Sequence, residues 1–97
     1  MTTEVRRADG RYEILVDGVV AGFTEVREAD GVLAMPHTVV EDAFEGRGLA
    51  SQLVRGALDD IRAQGRQIHP SCPYVKQWIQ KHADYADLVD DPTRFGL

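Results

Sequence analysis

Cysteine and long apolar runs are both scarce in this sequence. Its 97 residues include a single cysteine, Cys72, so no disulfide can form within the chain and an oxidising compartment is not indicated. The apolar runs are only a few residues long, which predicts no membrane-spanning helix. The N-terminal stretch MTTEVRRADG has no apolar core after its charges, so we expect no secretory signal and a cytoplasmic location.

Basic residues and metal ligands are scarce as well. Lys and Arg number 11 against 16 Asp and Glu, which gives a formal net charge of -5 at pH 7. Because binding to a phosphate backbone depends on clustered Lys and Arg, we expect no nucleic-acid partner. One cysteine and three separated histidines do not favour a structural zinc site, and the sequence predicts no bound metal.

The composition that remains is that of a globular domain. Hydrophobic residues make up 43% of the chain and charged residues 28%, which excludes a disordered or collagen-like chain. A chain of this length buries enough surface for one modest core but not for two. We therefore expect residues 1–97 to form a single domain, with a loosely held C-terminal tail over about residues 90–97.

Three Asp-Gly pairs divide the first part of the chain into short alternating runs. Asp9-Gly10, Asp17-Gly18 and Asp30-Gly31 are each a strong hairpin signal, so the pattern predicts a mostly antiparallel sheet of four strands. The predicted strands are Val5–Ala8, Tyr12–Val16, Val19–Glu28 and Val32–Val40. Gly22 indicates a bulge or a close backbone approach, and Pro36 indicates either an edge strand or a bulge.

The pattern changes to a helical period after the fourth strand. Apolar residues at steps of three and four predict an amphipathic helix over about residues 48–64, with Gly65 ending it. Residues 66–70 predict a fifth strand, and the intervening helix makes a parallel crossover from the fourth strand the expected connection. A C-terminal helix over about residues 73–82 begins at Pro73, so the fold class is α/β.

The segment Glu45–Ser51 (EGRGLAS) joins the fourth strand to the first helix. Glycines let the backbone approach a ligand closely, and the first N–H groups of a helix are unpaired and carry partial positive charge. Such a loop suits a phosphate or pyrophosphate, with Arg47 adding a charge-assisted contact. The alternative is that the glycines only turn the chain and Ala50 packs. Neither a P-loop nor a Rossmann signature is present, because Gly-Lys-Ser/Thr and a third glycine are missing.

This loop and its flanking segments resemble the GNAT N-acetyltransferases. Their motif A reads Gln/Arg-x-x-Gly-x-Gly/Ala; Gly48 and Ala50 match the two small positions, whereas Glu45 departs from the first. Other matching segments follow the same order along the chain: Tyr12–Ile14, His37–Val40, Pro70–Val75 and His82–Tyr85. Together they cover about residues 11–89 and resemble the small single-domain GNAT-like acetyltransferases of the YjdJ type.

The resemblance implies a compact GNAT-like fold with acetyl-CoA as cosubstrate. The pyrophosphate would then lie on the N–H groups at the start of the first helix, contributed by Arg47, Gly48, Leu49, Ala50 and Ser51. The pantetheine arm would run in a splay between the fourth and fifth strands, beside Thr38, Val39 and Val40. The Glu45 departure affects one loop contact but not the binding by backbone N–H groups.

Cys72 and His37 are the candidate catalytic residues. Cys72 precedes Pro73, at a helix start that favours a thiolate. It could accept the acetyl group covalently or only position the acceptor, and the alternative is a small buried apolar residue. His37 is the candidate base, directed into the core or into the cleft, or it is an ordinary histidine. Tyr74 is a further candidate, as proton donor to the departing CoA thiolate.

These features favour acetyl transfer from acetyl-CoA to an unidentified small-molecule or protein amine, by a monomer or weak homodimer. The chain is shorter than usual GNAT domains and has no helices between its first strands. The acceptor pocket must therefore be open, supplied by a partner subunit, or absent. Two alternatives follow: a non-catalytic module that binds CoA or acyl-CoA, and a protein-interaction domain on a GNAT scaffold.

Overall fold

Seven strands and two helices form the fold, described for residues 2–97 in a computed structural model. The strands are β1 (Thr3–Ala8), β2 (Arg11–Val16), β3 (Val19–Glu25), β4 (Arg27–Ala29), β5 (Val32–Ala34), β6 (Thr38–Val40) and β7 (Ile68–His69). The helices are α1 (Leu49–Ala63) and α2 (Pro73–Lys81). One sheet has the strand order β1-β2-β3-β6 and the other the order β4-β5-β7.

Two of the predicted strands are each divided into shorter ones. The predicted strand Val19–Glu28 breaks at Val26 into β3 and β4, and the predicted strand Val32–Val40 breaks around Pro36 into β5 and β6. β5 lies parallel to β7, whereas β6 lies antiparallel to β3. The α/β class, the mostly antiparallel pairing and the parallel last strand are confirmed. The division into two sheets was not predicted, because alternation in a sequence does not specify pairing partners.

Pro36 stands at the point where the chain changes from one sheet to the other. The N–H of Met35 donates to the carbonyl of His69 at 3.0 Å, and the carbonyl of His37 accepts from the N–H of Glu25 at 2.8 Å. The chain therefore changes partner between Met35 and His37. Pro36 has no N–H to donate to either sheet, so it stands where neither ladder needs a donor.

Helix α1 packs one apolar face into the core. Its buried residues recur at steps of three and four, as predicted: Leu49, Leu53, Val54, Ala57, Leu58 and Ile61. They join residues of β2, β7 and α2 in one hydrophobic cluster. Gly48 and Gln64 cap the helix, and Gly65 follows with the positive φ of 71° that favours glycine after a helix end.

The C-terminal tail is held more firmly than the sequence predicts. Beyond α2 the chain forms 3-10 turns at Ala83–Leu88 and Pro92–Phe95. Phe95 and Leu97 pack against the hydrophobic core, so the expected loose tail over about residues 90–97 is docked. No helix within residues 2–97 combines the length and apolarity needed to cross a membrane.

A buried phenol joins β2 to the last turns of α1. Tyr12 is 2% exposed, and its hydroxyl donates to Asp60 Oδ2 at 2.5 Å. Gln64 Nε2 donates to the Tyr12 hydroxyl at 3.1 Å, and Arg7 Nε donates to Asp60 at 3.1 Å. Burial, reinforced by the Asp60 carboxylate, raises the pKa of Tyr12 to about 12.

We expect the contribution of Tyr12 to stability to be lost in alkali. Since its folded pKa of about 12 exceeds the ordinary value of 10.0, the contribution is complete below pH 10 and declines as the pH rises toward 12. The measurement is the free energy of unfolding of the wild type and of Tyr12→Phe between about pH 8 and pH 12. The difference between the two free energies should shrink above pH 10, because only the wild type loses a contribution of Tyr12. Ionisation of Tyr74 and Tyr85 affects both proteins and cancels in the difference. A difference independent of pH would contradict this.

Gly22 sits where β3 and β6 approach closely, and we expect Gly22→Ala to destabilise the fold. An added Cβ would lie 2.5 Å from the carbonyl oxygen of Val39, so the strand backbone itself must move. Overpacking of this kind costs about 1–3 kcal/mol, and each kcal/mol lowers the thermal midpoint by about 4–8 °C in a domain of this size. Thermal unfolding of the variant measures the loss.

Gly56→Ala is the matched control for Gly22→Ala. Its Cβ would meet the side chain of Val5 at 2.9 Å, and Val5 lies on the edge strand β1 rather than between two strands. Alanine also gains about 1 kcal/mol of helix propensity over glycine at this position in α1. We expect the smaller change of midpoint for Gly56→Ala, and an equal or larger one would overturn the comparison.

Candidate functional site

A cavity of about 440 Å³ lies between β6 and the first turns of α1 and α2. Among the strands of residues 2–97, none pairs with the outer edge of β6. The N–H of Glu41 donates to Ala21 and that of Glu25 to His37, both at 2.8 Å, so alternation turns the peptide groups of Thr38 and Val40 away from β3. Both residues line the cavity.

The glycine loop forms the opposite wall of the cavity. Gly46 and Gly48 have positive φ angles of 80° and 71°, and a Cβ at either position would meet no atom within 4 Å. Gly48 is the N-cap of α1 and has no side chain with which to cap it. The first N–H groups of α1 have no partner within the helix, and Leu49, Ala50 and Ser51 all line the cavity. The wall is therefore suited to an anion.

Charged side chains at the loop act in opposite directions. Glu45 lines the cavity with a carboxylate, at the position where motif A has Gln or Arg. The Arg47 guanidinium lies 5.6 Å from the centre of the Phe44 ring, and Phe44 is itself on the wall. Arg47 therefore lies next to a wall residue, and the wall itself offers an anion the backbone N–H groups of the helix start.

Trp78 connects the start of α1 to α2. Its Nε1 donates to Ser51 Oγ at 2.9 Å, and the indole is 3% exposed. An indole N–H can only donate, so the Ser51 oxygen accepts and the serine keeps its own proton for another acceptor. The His82 ring stacks on the Trp78 indole, with 3.9 Å between the two ring centroids.

Cys72 lies directly behind the cavity wall. The residue is the N-cap of α2 and is 5% exposed, and its Sγ lies 3.5 Å from the Thr38 hydroxyl. Tyr74, on the wall in the first turn of α2, is 37% exposed. Burial, and then the charge of Cys72, raise the pKa of Tyr74, so this phenol remains protonated at neutral pH.

His37 lies neither in the core nor in the cavity. It is exposed, and its ring lies 6.2 Å from that of Phe23. Phe23 and Thr24 are consecutive on β3 and point to opposite faces of the sheet. Since Thr24 contacts Thr38, the His37 imidazole is on the face opposite the cavity. Met35 and His37 pair with different sheets on the two sides of Pro36. As a result Met35 is fully buried, whereas His37 is exposed.

The structure brings together six of the eight residues predicted to bind a cofactor. Those on the cavity wall are Thr38, Val40, Gly48, Leu49, Ala50 and Ser51. Val39 pairs with Phe23 and faces the other side of the sheet, and Arg47 lies against the ring of Phe44. Phe44 belongs to the wall without having been predicted, because the single 3-10 turn Asp42–Phe44 leaves no periodic signal in a sequence.

Metal ligation finds no support in the described part of the chain. No group of three or more His, Cys, Asp or Glu side chains within residues 2–97 is placed to hold a metal ion. His69 instead pairs through Nε2 with Asp90 at 2.9 Å.

A split sheet, with a glycine loop and helix start facing the split, defines an α/β domain of the GNAT type. The sequence profile of the GCN5-related N-acetyl-transferases matches residues 11–88. The chain belongs to this family.

Curated relatives match over a shorter segment. Protein NATD1 of Gallus gallus is 31% identical over 51 residues, which cover 53% of this chain and 46% of the relative. Protein NATD1 of Homo sapiens is also 31% identical over 51 residues, covering 53% and 45%. Protein NATD1 of Danio rerio is 26% identical over 57 residues, covering 57% and 52%. The chain thus matches about half the length of these relatives.

A solved structure shares the fold over nearly the whole chain. The NMR structure of a GCN5-like protein from Staphylococcus aureus superposes with a TM-score of 0.70 and 21% sequence identity. The match covers 90% of this chain and 87% of the other. At this identity the likeness concerns the fold alone. The narrower YjdJ-type assignment stays a prediction.

Proposed function

We propose that this chain binds acetyl-CoA in the 440 Å³ cavity and transfers its acetyl group to an amine. The observation that carries the proposal is the start of α1. An N-cap without a side chain, Gly48, directs the first helical N–H groups at a cavity whose other wall is the free edge of β6. Membership of the family supports acetyl-CoA as the cosubstrate.

The loop and β6 fit two different parts of that cosubstrate. The N–H groups of Gly48 to Ser51 would hold the pyrophosphate, because an anion gains from both the unpaired donors and the helix dipole. The peptide groups of Thr38 and Val40 face the cavity and would pair with the two amides of the pantetheine arm, as an added strand would. This pairing needs no particular side chain.

In the proposed reaction Cys72 accepts the acetyl group first. Its thiolate sulfur bonds to the acetyl carbon while the bond from that carbon to the CoA sulfur breaks, and Tyr74 or solvent protonates the leaving thiolate. The acceptor nitrogen then bonds to the same carbon and displaces the Cys72 sulfur. The proton of the acceptor ammonium would leave to solvent, because the ring of His37, the predicted base, lies on the other face of the sheet.

A second candidate function is favoured by the position of the two catalytic candidates. Cys72 is 5% exposed and lies behind Thr38, and the His37 ring is on the face opposite the cavity. A module that binds CoA or acyl-CoA without transferring the acyl group would require neither side chain at the wall. Binding and transfer therefore need separate tests.

Acetyl-CoA and CoA should raise the thermal midpoint of the protein. A ligand at about 100 times its dissociation constant adds about 2.7 kcal/mol, and each kcal/mol moves the midpoint by about 4–8 °C. Gly48→Asp should weaken binding about tenfold or more, because a charge about 5 Å from the pyrophosphate costs about 1–3 kcal/mol. Titration calorimetry measures the dissociation constants of the variants.

Gly48→Asn is the matched control for Gly48→Asp. Asn and Asp have nearly the same shape, and both tolerate the left-handed conformation of Gly48, at φ 71°. The two variants therefore differ in charge alone, and Gly48→Asn should retain clearly tighter binding. Equal binding by both variants would place the anion elsewhere. No midpoint shift at millimolar CoA would overturn both candidate functions and favour the interaction domain.

Incubation with acetyl-CoA should add the mass of one acetyl group to Cys72. Intact-mass measurement followed by peptide mapping detects the adduct, which Cys72→Ala cannot form while it still binds CoA. Addition of a primary amine such as a polyamine should discharge the adduct, at an unchanged rate in His37→Gln because that ring lies on the other face of the sheet. A protein that binds acetyl-CoA but never carries the acetyl group on Cys72 would contradict the covalent route. If amine acetylation is also absent, the non-catalytic module is favoured.

A further inference from the structure

Two threonine hydroxyls connect the Cys72 sulfur to the backbone of the strand break. Cys72 Sγ lies 3.5 Å from Thr38 Oγ1, which lies 2.9 Å from Thr24 Oγ1. Thr24 Oγ1 in turn donates to the carbonyl of His37 at 3.4 Å. Thr24 is fully buried, at 0% exposure, and faces Thr38 directly across the β3–β6 pair.

When Cys72 is a thiol, the number of available protons fixes the direction of these hydrogen bonds. A hydroxyl and a thiol each have one proton to donate, and a carbonyl has none. Since Thr24 donates to His37, it accepts from Thr38, and Thr38 in turn accepts from Cys72. This series of hydrogen bonds ends on the His37 carbonyl, so it cannot carry the thiol proton away.

Ionisation of Cys72 reverses the direction of the hydrogen bonds between Cys72, Thr38 and Thr24. A thiolate has no proton and must accept, and the nearest hydroxyl is that of Thr38. When Thr38 turns its proton to the sulfur, Thr24 turns its own to Thr38, because otherwise lone pairs would face each other across 2.9 Å. The His37 carbonyl is not left unpaired, because it keeps the hydrogen bond from Glu25 N–H at 2.8 Å.

We infer that the Thr38 side chain is a positioning residue for Cys72, with its hydroxyl as the donor that stabilises and orients the thiolate. Its use in acetyl transfer rests on the proposed function, but its effect on the sulfur does not depend on bound CoA. Thr38 would thus have two separate roles, because its peptide groups face the cavity and its hydroxyl faces Cys72. The thiol proton leaves to solvent.

Other titratable groups near Cys72 do not supply this donor. The Tyr74 phenol, in the first turn of α2, is 37% exposed, and among the described residues the side-chain hydrogen bond of the Cys72 sulfur goes to Thr38 and not to this phenol. The His37 ring lies on the other face of the sheet, near Phe23. His69, at the end of β7, pairs with Asp90 at 2.9 Å. The hydroxyl of Thr38 is the group in hydrogen-bond contact with the sulfur.

The test is the pH titration of Cys72 in the CoA-free protein. Because the chain has one cysteine, the thiolate absorbance is obtained by subtracting the ultraviolet spectrum of Cys72→Ala at each pH. Thr38→Val removes the donor but keeps the volume, and should raise the titration midpoint by about one pH unit, a tenfold loss of thiolate. Thr38→Ser keeps a hydroxyl and should titrate near the wild type.

Thr24→Val is the matched control, since it makes the same substitution on the facing residue. Thr24 bonds to Thr38 in both ionisation states and loses only its long 3.4 Å bond to His37 on reversal. Its removal should therefore change the midpoint by less than half of the Thr38→Val shift. Equal shifts in the two valine variants would indicate a general effect of removing a buried hydroxyl and overturn the inference, as would an unchanged midpoint in Thr38→Val.

Two further measurements separate this inference from folding and from the proposed function. Each variant is first checked by thermal unfolding, and if Thr38→Val does not fold, Thr38→Ala gives the same comparison with Thr38→Ser. CoA binding is measured separately by calorimetry. A protein that binds no CoA but shows the Thr38→Val shift loses the proposed function and keeps the positioning role. A protein that binds CoA but does not show the Thr38→Val shift keeps the proposed function and loses the positioning role.

Discussion

The change of pairing partner between Met35 and His37 is the constraint on which the candidate site depends. On one side of Pro36 Met35 pairs with His69, and on the other His37 pairs with Glu25, so one run of chain serves two sheets. The outer edge of β6 is consequently left without a strand among the described residues, and its peptide groups face the cavity. The Met35 carbonyl also accepts from the N–H of Cys72 at 2.8 Å, which ties the start of α2 to the same break.

The elements that the sequence predicts well are those whose signal is local. The Asp-Gly pairs end in tight turns, and Asp17 and Asp30 take the positive φ values of 49° and 53° that such turns require. The period of α1 and its terminal glycine place the helix within one residue at each end, because both signals depend only on near neighbours. The glycine loop is equally local, so most of the expected cofactor residues line one cavity.

The features that the sequence does not predict depend on pairing between distant segments. In an unbroken strand Met35 and His37 would share a face, whereas the change of sheet buries one and exposes the other. The contact between Thr24 and Thr38 depends on the register of β3 against β6, which alternation alone cannot specify. The tail is docked because Asp90 N–H donates to Ile68 and Val89 bridges to the same residue, contacts across about twenty residues that no local pattern encodes.

The positions of Cys72 and His37 bear on how so small a chain could accommodate two substrates. Thr38 and its neighbour His37 direct their side chains to opposite faces of the first sheet, so Cys72 is reached from one face and the imidazole from the other. Because the acceptor nitrogen must reach the acetyl carbon, the amine would have to enter on the α1 side as well, away from the His37 ring. On the outer face, Arg11 lies 4.5 Å from the centre of the Phe23 ring and bonds to the buried Glu13, so the chain's own cation occupies both groups. The two substrates would therefore share the cavity, and the outer face of the sheet would take no part in the transfer.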